Sequence, residues 1–197
     1  MGKPKLYMIA GPNGAGKTTA ALKLLPDFLS IYDFVNADNI ALGIDPLKPE
    51  SQALFAARIM LDRMDHLISG RQSFAFETTG ASVSFARKIE QAKKLGYEVG
   101  LLFLWLPSVD LAKARVKQRV QQGGHHIPEP DIARRFERGL RNLIRIYLPL
   151  TDEASIIDAT RPLKGTARII AEKSNGTVRI LNAAIWRDMN DQATKGN

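Results

Sequence analysis

One stretch near the N-terminus restricts the fold of this chain more than any other, the segment Gly11-Pro12-Asn13-Gly14-Ala15-Gly16-Lys17-Thr18. It matches the phosphate-loop pattern G-x-x-x-x-G-K-[ST] at every fixed position. The apolar run 6–10 before it suits a buried parallel strand. The segment 19–25 after it is rich in helix formers and is stopped by a proline. The motif therefore stands between a strand and a helix, the context that a phosphate-binding loop requires.

The residue types of this loop indicate its chemistry. Its glycines allow successive backbone N–H groups to face one anion, and the following helix adds the positive end of its dipole. Lys17 is expected to reach the outer phosphates of a nucleotide, and the Thr18 hydroxyl to ligate Mg²⁺. The cofactors expected from the motif are therefore ATP and Mg²⁺. The expected nucleotide-binding residues are Gly11, Pro12, Asn13, Gly14, Ala15, Gly16, Lys17, Thr18 and Thr19.

Length and composition narrow the class of protein. A chain of 197 residues favours one domain, which we expect over residues 1–190, followed by a flexible polar tail over 191–197. The chain has no cysteine, which excludes disulfides, thiolate zinc sites and cysteine nucleophiles. The first strand begins almost at once, and no apolar run approaches the roughly 20 residues that span a bilayer. We therefore expect a cytoplasmic protein with no signal peptide and no membrane contact.

The positive charge of the chain is concentrated in one segment. The formal net charge is +8, and nine lysines and arginines of residues 111–147 stand against three acids; they lie at positions 113, 115, 117, 119, 134, 135, 138, 141 and 145. Such a surface is typical of proteins that bind nucleic acid or phosphorylated small molecules. The segment has only two aromatic residues, Phe136 and Tyr147, too few for a base-stacking surface. The composition thus disfavours a nucleic-acid partner.

Acidic residues follow two further predicted strands. Residues 32–37 suit a second strand that ends at Asp38, and residues 73–76 suit a third that ends at Glu77 and Thr78. Ligands of open α/β sheets bind outside the carboxyl ends of the strands, so both acids belong to the edge that carries the phosphate loop. Asp38 is a candidate general base, or alternatively a helix N-cap. Glu77 is a candidate for binding a substrate hydroxyl or supporting Mg²⁺, or alternatively for pairing with an arginine.

Two predicted helices joined by a glycine- and proline-rich loop carry most of the basic segment. The helices are expected over residues 109–122 and 131–148, with the loop over 123–130. A hairpin of this kind suits the lid of a phosphoryl-transfer enzyme, which closes over the phosphates and excludes water. The predicted lid covers about residues 119–138.

Three arginines of this lid are candidates for phosphate contacts. We expect Arg119 and Arg135 to act as catalytic residues that neutralise the transferred group, and Arg134 to bind the nucleotide. The other arginines are expected on a solvated face. The loop also holds His125 and His126, and with no cysteine and one further histidine in the chain a closed zinc site is disfavoured. We expect the pair to line the lid, with His126 at the substrate.

The rest of the chain completes the predicted fold. Residues 98–105 suit a central strand and residues 154–159 a last parallel strand, after which Thr160-Arg161-Pro162 lies where such folds often receive the nucleotide base. Residues 167–171 and 177–181 flank an Asn-Gly hairpin signal. We therefore predict an α/β P-loop NTPase fold of the nucleoside-kinase type. It has three α/β/α layers, a mainly parallel five-stranded sheet, a helical lid and a C-terminal β-hairpin.

Four motifs occur in an order that points to a family. They are AGPNGAGKTT at residues 10–19, NAD at 36–38, FETTG at 76–80 and GHHIP at 124–128. On these motifs the chain resembles the zeta-toxin family of P-loop kinases, in its shorter chromosomal branch, over roughly residues 6–158. The phosphate loop is common to the superfamily, whereas FETTG and GHHIP are more specific.

The resemblance implies an activity and a partner. Zeta toxins use ATP and Mg²⁺ to phosphorylate the 3′-hydroxyl of the amino sugar in UDP-N-acetylglucosamine, and an antitoxin protein holds them inactive. It implies that Asp38 is the base on the sugar hydroxyl and that Glu77, with Thr78 beside it, binds the sugar nucleotide. It also implies that Lys17 and Thr18 hold the nucleotide and Mg²⁺. Another small hydroxylated metabolite is left open as the acceptor.

Three functions are compatible with these residues. The first is an ATP-dependent kinase that phosphorylates a hydroxyl of a small molecule, with Asp38 taking the acceptor proton. The second is a nucleotide-switched binding module that uses the basic lid, although the chain lacks the Asn-Lys-x-Asp motif of a GTPase switch. The third is a polynucleotide 5′-hydroxyl kinase, which needs an open groove. We expect the first, an enzyme that transfers phosphate to an alcohol group.

Overall fold

A mixed β-sheet forms the centre of the computed structural model, which describes residues 2–161 and 167–195. In that part of the chain the sheet has seven strands, in the order β2-β3-β1-β4-β5-β6-β7. The strands are β1 (Lys5–Ala10), β2 (Asp33–Val35), β3 (Phe74–Thr78), β4 (Glu98–Trp105), β5 (Glu153–Asp158), β6 (Ile169–Ser174) and β7 (Thr177–Ile180).

The pairing of the strands corrects the predicted sheet. The first five strands are parallel, with β1 between β3 and β4. β6 pairs antiparallel with β5, and β7 antiparallel with β6. The prediction of a mainly parallel five-stranded sheet is therefore wrong, because the C-terminal hairpin extends the sheet to seven strands within the described residues. The Asn-Gly signal predicts the hairpin from neighbouring residues. The pairing of this hairpin with β5, in contrast, depends on burial of Ile170 and Ala171 against distant helices.

Helices connect the strands and cover both faces of the sheet. They are α1 (Lys17–Leu24), α2 (Ala37–Ile44), α3 (Ala53–Ser69), α4 (Ser84–Lys94), α5 (Val109–Gln121), α6 (Glu129–Asn142), α7 (Leu148–Leu150) and α8 (Ala183–Lys195). π-Helical turns lie at Leu25–Leu29 and Leu143–Tyr147, and a 3-10 turn lies at Pro49–Gln52. Within residues 2–161 and 167–195, no helix combines the length and the apolar character that crossing a membrane requires.

The core lies in two layers on either side of the sheet. Successive residues of a strand point to opposite faces, so Met8 packs with Met64 of α3 and Ile89 of α4, while Ile9 packs with Ala21 of α1. β4 is buried from its second residue to its last, which matches its predicted continuous apolar pattern. This layering gives the predicted α/β/α arrangement and places the phosphate loop, after β1, near the middle of the parallel strands.

The C-terminal segment differs from its prediction. Where the sequence predicts a flexible tail from residue 191, the structure has the last turns of α8, which continues to residue 195. Met189 and Ala193 are buried in the core, one helical turn apart. Most of the surrounding residues are polar, so the sequence pattern does not indicate that these two residues are buried. Residues 196–197 and Pro162, for which predictions were made, lie outside the described residues.

Candidate active site

The phosphate loop occupies residues 11–16, between β1 and α1. Gly11 has φ 143°, and a Cβ atom there would lie 2.4 Å from the carbonyl oxygen of Leu104 in β4. Gly14 has φ 79°, and its Cβ would lie 2.9 Å from the Cβ of Arg115. Only glycine lets the loop approach β4 and α5 this closely in these conformations. The structure thus gives a reason for glycine at both positions that differs from the predicted one, close packing of the loop against β4 and α5.

A buried carboxylate, Glu77 of β3, gathers the side chains around the loop. Its Oε2 accepts hydrogen bonds from Thr18 Oγ1 at 2.8 Å and from Asn36 Nδ2 at 2.9 Å. Its Oε1 lies 3.9 Å from Lys17 Nζ, and both side chains are less than a tenth exposed. Because β1 and β3 are parallel neighbours, the end of β3 lies beside the loop that follows β1. β3 ends at Thr78, so Glu77 and Thr78 belong to the strand itself and not to the loop after it.

Charges from several elements converge on Lys17. Burial lowers the pKa of its ammonium group below the usual range. The carboxylates of Glu77 and Asp38 raise this pKa, and the guanidinium groups of Arg119 and Arg135 lower it. The two arginines come from α5 and α6, the predicted lid helices.

Burial also sets the protonation of Glu77. It raises the pKa of the carboxyl group, although the Lys17 ammonium and the hydrogen bond from Thr18 lower it. The nearby charge of Asp38 raises it further, while Asn36 lowers it. The net shift is upward, so the charged forms of both Lys17 and Glu77 are disfavoured by their surroundings.

We expect Glu77→Gln to flatten the dependence of stability on pH. The folded pKa of Glu77 lies above its ordinary value of about 4.3, so the folded protein binds this proton more tightly than the unfolded chain. The wild-type free energy of unfolding therefore decreases as pH rises between the ordinary and the folded pKa. Glutamine has no such proton. Urea unfolding at several pH values measures the difference.

The exposed Glu98 provides the control for that experiment. Its side chain is 53% exposed at the start of β4, away from the phosphate loop. Solvent screens such a charge, so Glu98→Gln is expected to follow the wild-type curve. Parallel curves for Glu77→Gln and wild type would contradict the upward shift of the Glu77 pKa.

Asp38 lies in the first turn of α2 and does not cap that helix. The N-cap is Asn36, whose Oδ1 accepts hydrogen bonds from the backbone N–H groups of Asp38 at 2.8 Å and Asn39 at 3.4 Å. Capping, the alternative role considered for Asp38, thus belongs to Asn36. The Asp38 carboxylate instead has His125 of the lid loop beside it, with 3.8 Å between Oδ2 and Nε2.

The predicted acidic residues and the phosphate loop line one cavity of about 490 Å³. The residues of the predicted site that line it are Asn13, Lys17, Asp38, Glu77, Thr78, His126 and Arg135. The structure adds other polar residues that were not assigned to the substrate, namely Asn36, Glu50, Thr79, Ser82, Ser84, His125 and Asp131. An apolar wall is formed by Ala37, Ala41, Ala53, Ala57, Met60, Leu61 and Phe85.

The three candidate arginines have different surroundings. Arg135 lines the cavity. Arg119 donates to the carbonyl of His125 at 3.5 Å, and its Nε is buried with no hydrogen-bond partner in the described part of the chain. Arg134 is 55% exposed and pairs with Asp131 at 2.7 Å, the solvated i,i+3 arrangement that was expected of other arginines. Arg134 is also absent from the lining of the cavity among the described residues.

The predicted helix–loop–helix is present as α5, the loop 122–128 and α6, and one half of it is anchored. Asn142 at the end of α6 donates to the carbonyls of Gly80 at 2.9 Å and Ala81 at 3.1 Å. A Cβ atom on Gly139 would lie 2.4 Å from the carbonyl oxygen of Thr79, so α6 touches the backbone after β3. Movement of a lid would therefore involve the loop and the helix ends next to it.

Sequence reasoning missed the role of Arg115. Its guanidinium group, on α5, donates to the carbonyls of Gly14 at 3.3 Å, Ala159 at 2.8 Å and Thr160 at 2.8 Å. It thereby ties the phosphate loop to the end of β5. Its partners are backbone atoms 44 to 101 residues away, so no local pattern could have revealed them.

We expect Arg115→Ala to lower the free energy of unfolding by about 2–3 kcal/mol, because it leaves carbonyls of the loop and of β5 without their charged donor. ATP binding should weaken as well, since the loop loses a support. Urea unfolding and ATP titration measure both effects. Arg134→Ala is the matched control for the unfolding measurement alone and should cost less than about 1 kcal/mol, as expected for an exposed ion pair. Equal stability of the two variants would contradict the role of Arg115.

The oxygen atoms beside the loop suit a magnesium ion. Mg²⁺ prefers oxygen ligands and usually keeps several waters, and the Thr18 hydroxyl and the Glu77 carboxylate lie 2.8 Å apart. Over residues 2–161 and 167–195, no group of three or more His, Cys, Asp or Glu could hold a metal. Most ligands of an ion bound here would therefore come from nucleotide and water.

Solved structures share this fold. One chain of the AvrRxo1-ORF1:AvrRxo1-ORF2 complex, crystallised with ATP, has a TM-score of 0.72 and 18% identity, and the match covers 95% of this chain and 63% of that chain. This protein thus spans less than two thirds of that relative. A chain of the PezAT toxin–antitoxin system of Streptococcus pneumoniae has a TM-score of 0.66 and 17% identity, with 99% and 86% covered. At these identities the likeness shows the fold, and it confirms the predicted P-loop NTPase-like α/β architecture.

Sequence comparison identifies the family. An uncharacterized protein of Haemophilus influenzae is 30% identical over 132 residues, which cover 67% of this chain and 92% of that protein. The family model AAA_33, described as an AAA domain, matches residues 6–160, a range that begins in β1 and ends just after β5. The matched range contains the phosphate loop, both acidic residues and the lid. The chain therefore belongs to the AAA_33 family of AAA domains.

Proposed function

We propose that this protein is an ATP-dependent kinase that transfers the γ-phosphoryl group to a hydroxyl of a small molecule. The observation that carries the proposal is that Asp38 and Lys17 line the same cavity. A nucleotide-binding module needs a carboxylate only to support Mg²⁺, a role that Glu77 can serve, whereas a kinase also needs a proton acceptor for the substrate hydroxyl. The volume of about 490 Å³ is in the range of small-molecule sites.

In this proposal the phosphate loop and the lid hold the nucleotide. The backbone N–H groups of the loop and the Lys17 ammonium bind the β- and γ-phosphates. Arg119 and Arg135 neutralise charge on the transferred group, which is supported by their electrostatic effect on Lys17. The buried Nε of Arg119, without a partner among the described residues, would find one in a phosphate oxygen. Arg134 remains a proposed nucleotide contact at the exposed edge of the lid.

Thr18 and Glu77 would hold magnesium on the other side of the phosphates. The Thr18 hydroxyl is the proposed ligand, and the Glu77 carboxylate orients it through their 2.8 Å hydrogen bond. Mg²⁺ held there would neutralise negative charge on the phosphates. Asn36 in turn fixes Glu77, so the end of β3 and the start of α2 are held together at this point.

Asp38 is the proposed general base. Its carboxylate takes the proton of the acceptor hydroxyl as that oxygen forms its bond to the γ-phosphorus. The bond from the γ-phosphorus to the oxygen that bridges it to the β-phosphate breaks, and ADP leaves. His125, 3.8 Å away, is placed to orient the carboxylate. His126 and Thr78, which also line the cavity, are the proposed acceptor contacts.

The resemblance to zeta toxins nominates a first acceptor and a partner. The compound to test first is UDP-N-acetylglucosamine, through its sugar 3′-hydroxyl, and the partner to test is an antitoxin protein. PezAT is described as a toxin–antitoxin system, and its likeness in fold supports testing both. Expression of the chain in bacteria is expected to slow growth, and the Asp38→Asn variant to relieve the effect.

Transfer of labelled phosphate tests the proposed reaction. The protein is incubated with Mg²⁺ and γ-labelled ATP, together with sugars, amino alcohols, sugar nucleotides and 5′-hydroxyl oligonucleotides. We expect the label to appear in one class of small molecule. Label in oligonucleotides alone would replace the proposal with a polynucleotide kinase. ATP binding with no transfer to any hydroxyl would leave a nucleotide-binding module.

A further inference from the structure

The cavity carries a charge opposite to that of the whole chain. The chain has a formal net charge of +8. The cavity, however, is lined by four carboxylates, those of Asp38, Glu50, Glu77 and Asp131, and by two fixed cations, those of Lys17 and Arg135. The lining therefore has a charge of 2 − 4 = −2 when its two histidines are neutral. A surface rich in Lys and Arg thus surrounds an acidic pocket.

Under the proposed function, on which this inference rests, both cations serve the nucleotide and two carboxylates are already engaged. Glu77 accepts hydrogen bonds from Thr18 and Asn36. Asp131 pairs with Arg134, which is not among the described residues that line the cavity. Asp38 and Glu50 remain to face the acceptor. Within residues 2–161 and 167–195, Glu50 forms no ion pair with any other side chain.

A second, independent observation concerns Asn13 of the phosphate loop. Asn13 is only 5% exposed and lines the cavity, and its side-chain oxygen has no hydrogen-bond partner in the described part of the chain. An amide oxygen accepts hydrogen bonds and cannot bond to a phosphate oxygen, which is also an acceptor. Its partner is therefore a donor, and an O–H or N–H group of a bound acceptor would supply one. The neighbouring wall, with Ala41, Ala53 and Ala57, offers apolar surface without any cation.

We propose that the acceptor is a small hydroxyl compound that carries a protonated amine and no phosphate, an amino alcohol or an amino sugar with a free amine. Its hydroxyl faces Asp38, its ammonium group faces the Glu50 side of the cavity, and its carbon skeleton packs on the alanine wall. A diphosphate in the same place would meet the carboxylates of Asp38 and Glu50, while both fixed cations of the lining serve the ATP. The charges thus favour an acceptor class different from sugar nucleotides.

Matched compounds test this assignment by binding and by transfer. Glucosamine and ethanolamine are compared with their N-acetyl forms, with glucosamine 6-phosphate and with UDP-N-acetylglucosamine, in the presence of Mg²⁺ and a non-hydrolysable ATP analogue. We expect each amine to bind about 10-fold more tightly than its N-acetyl form, because an ammonium group gains from two nearby carboxylates. The phosphorylated compounds should bind most weakly. The preference should shrink as salt is raised.

The variant Glu50→Gln keeps the size of the side chain and removes its charge. We expect it to reduce the preference for amines to about 2–3-fold and to leave the affinity for ATP unchanged, which a general loss of structure would not do. The assignment is overturned if amine and N-acetyl forms bind equally, if the phosphorylated compounds bind more tightly, or if no amine binds. Transfer to a neutral or anionic acceptor also overturns it, while the proposed kinase activity stands. Selective binding of amines without transfer supports the assignment and contradicts the kinase activity.

Discussion

Asp38→Asn is expected to lower kcat for phosphoryl transfer by about 10²–10⁴-fold, because asparagine cannot take the proton of the acceptor hydroxyl. ATP affinity should stay within a few-fold of wild type, since the phosphate loop is untouched. The fold should also be preserved, because the side chain is 55% exposed and Asn36, not Asp38, caps α2. Steady-state kinetics and ATP titration measure the two quantities separately.

Asp33→Asn is the matched control for this variant. Asp33 begins β2, at the end of the strand opposite the phosphate loop, and pairs with Arg63 at the surface. Loss of this exposed pair should leave kcat unchanged and cost less than about 1 kcal/mol. If Asp38→Asn and wild type turn over at the same rate, Asp38 is not the base. If both variants lose activity alike, the effect does not come from the cavity.

The features that the sequence predicted share one physical basis, the geometry of a parallel sheet. The carboxyl ends of parallel strands meet at one edge, so an acid after each of two strands must lie near a phosphate loop after a third. Lys17, Asp38 and Glu77 could therefore be placed together before any coordinates existed. The apolar run 98–105 likewise fixed the bounds of β4, because only a strand buried on both faces has such a pattern.

The features that the sequence did not predict depend on contacts between distant backbone atoms. Arg115 bonds to carbonyls, which every residue possesses, so its partners leave no trace in the pattern of side chains. The addition of the hairpin to the sheet and the length of α8 depend on burial by elements far along the chain. In the lid loop, the order of two adjacent histidines could not decide which one contacts Asp38. The structure brings His125 to that carboxylate, and His126, which was predicted at the substrate, also lines the cavity.

Lys17→Met is expected to lower turnover by about 10³-fold, since it removes a positive charge aimed at the phosphates in a site that excludes water.

The free energy of unfolding should respond differently from turnover. The upward pKa shift of Glu77 and the downward shift of Lys17 mean that the fold disfavours both charges. A buried ion pair replaced by neutral side chains often leaves stability unchanged or raises it by about 1–4 kcal/mol. We therefore expect the pair to lower stability, a cost that phosphate binding by Lys17 would explain under the proposed function.

The double variant Lys17→Met/Glu77→Gln separates the two effects. Its glutamine can still accept hydrogen bonds from Thr18 and Asn36, as Glu77 does, and no uncompensated charge is left in the core. We expect it to be at least as stable as wild type, more stable than Lys17→Met alone, and as inactive as that single variant. Urea unfolding and transfer of labelled phosphate measure the cycle. A double variant less stable than wild type by more than about 1 kcal/mol would show that the pair stabilises the fold. A single variant within 10-fold of wild-type turnover would show that Lys17 does not act on the phosphates, because removal of such a charge costs far more.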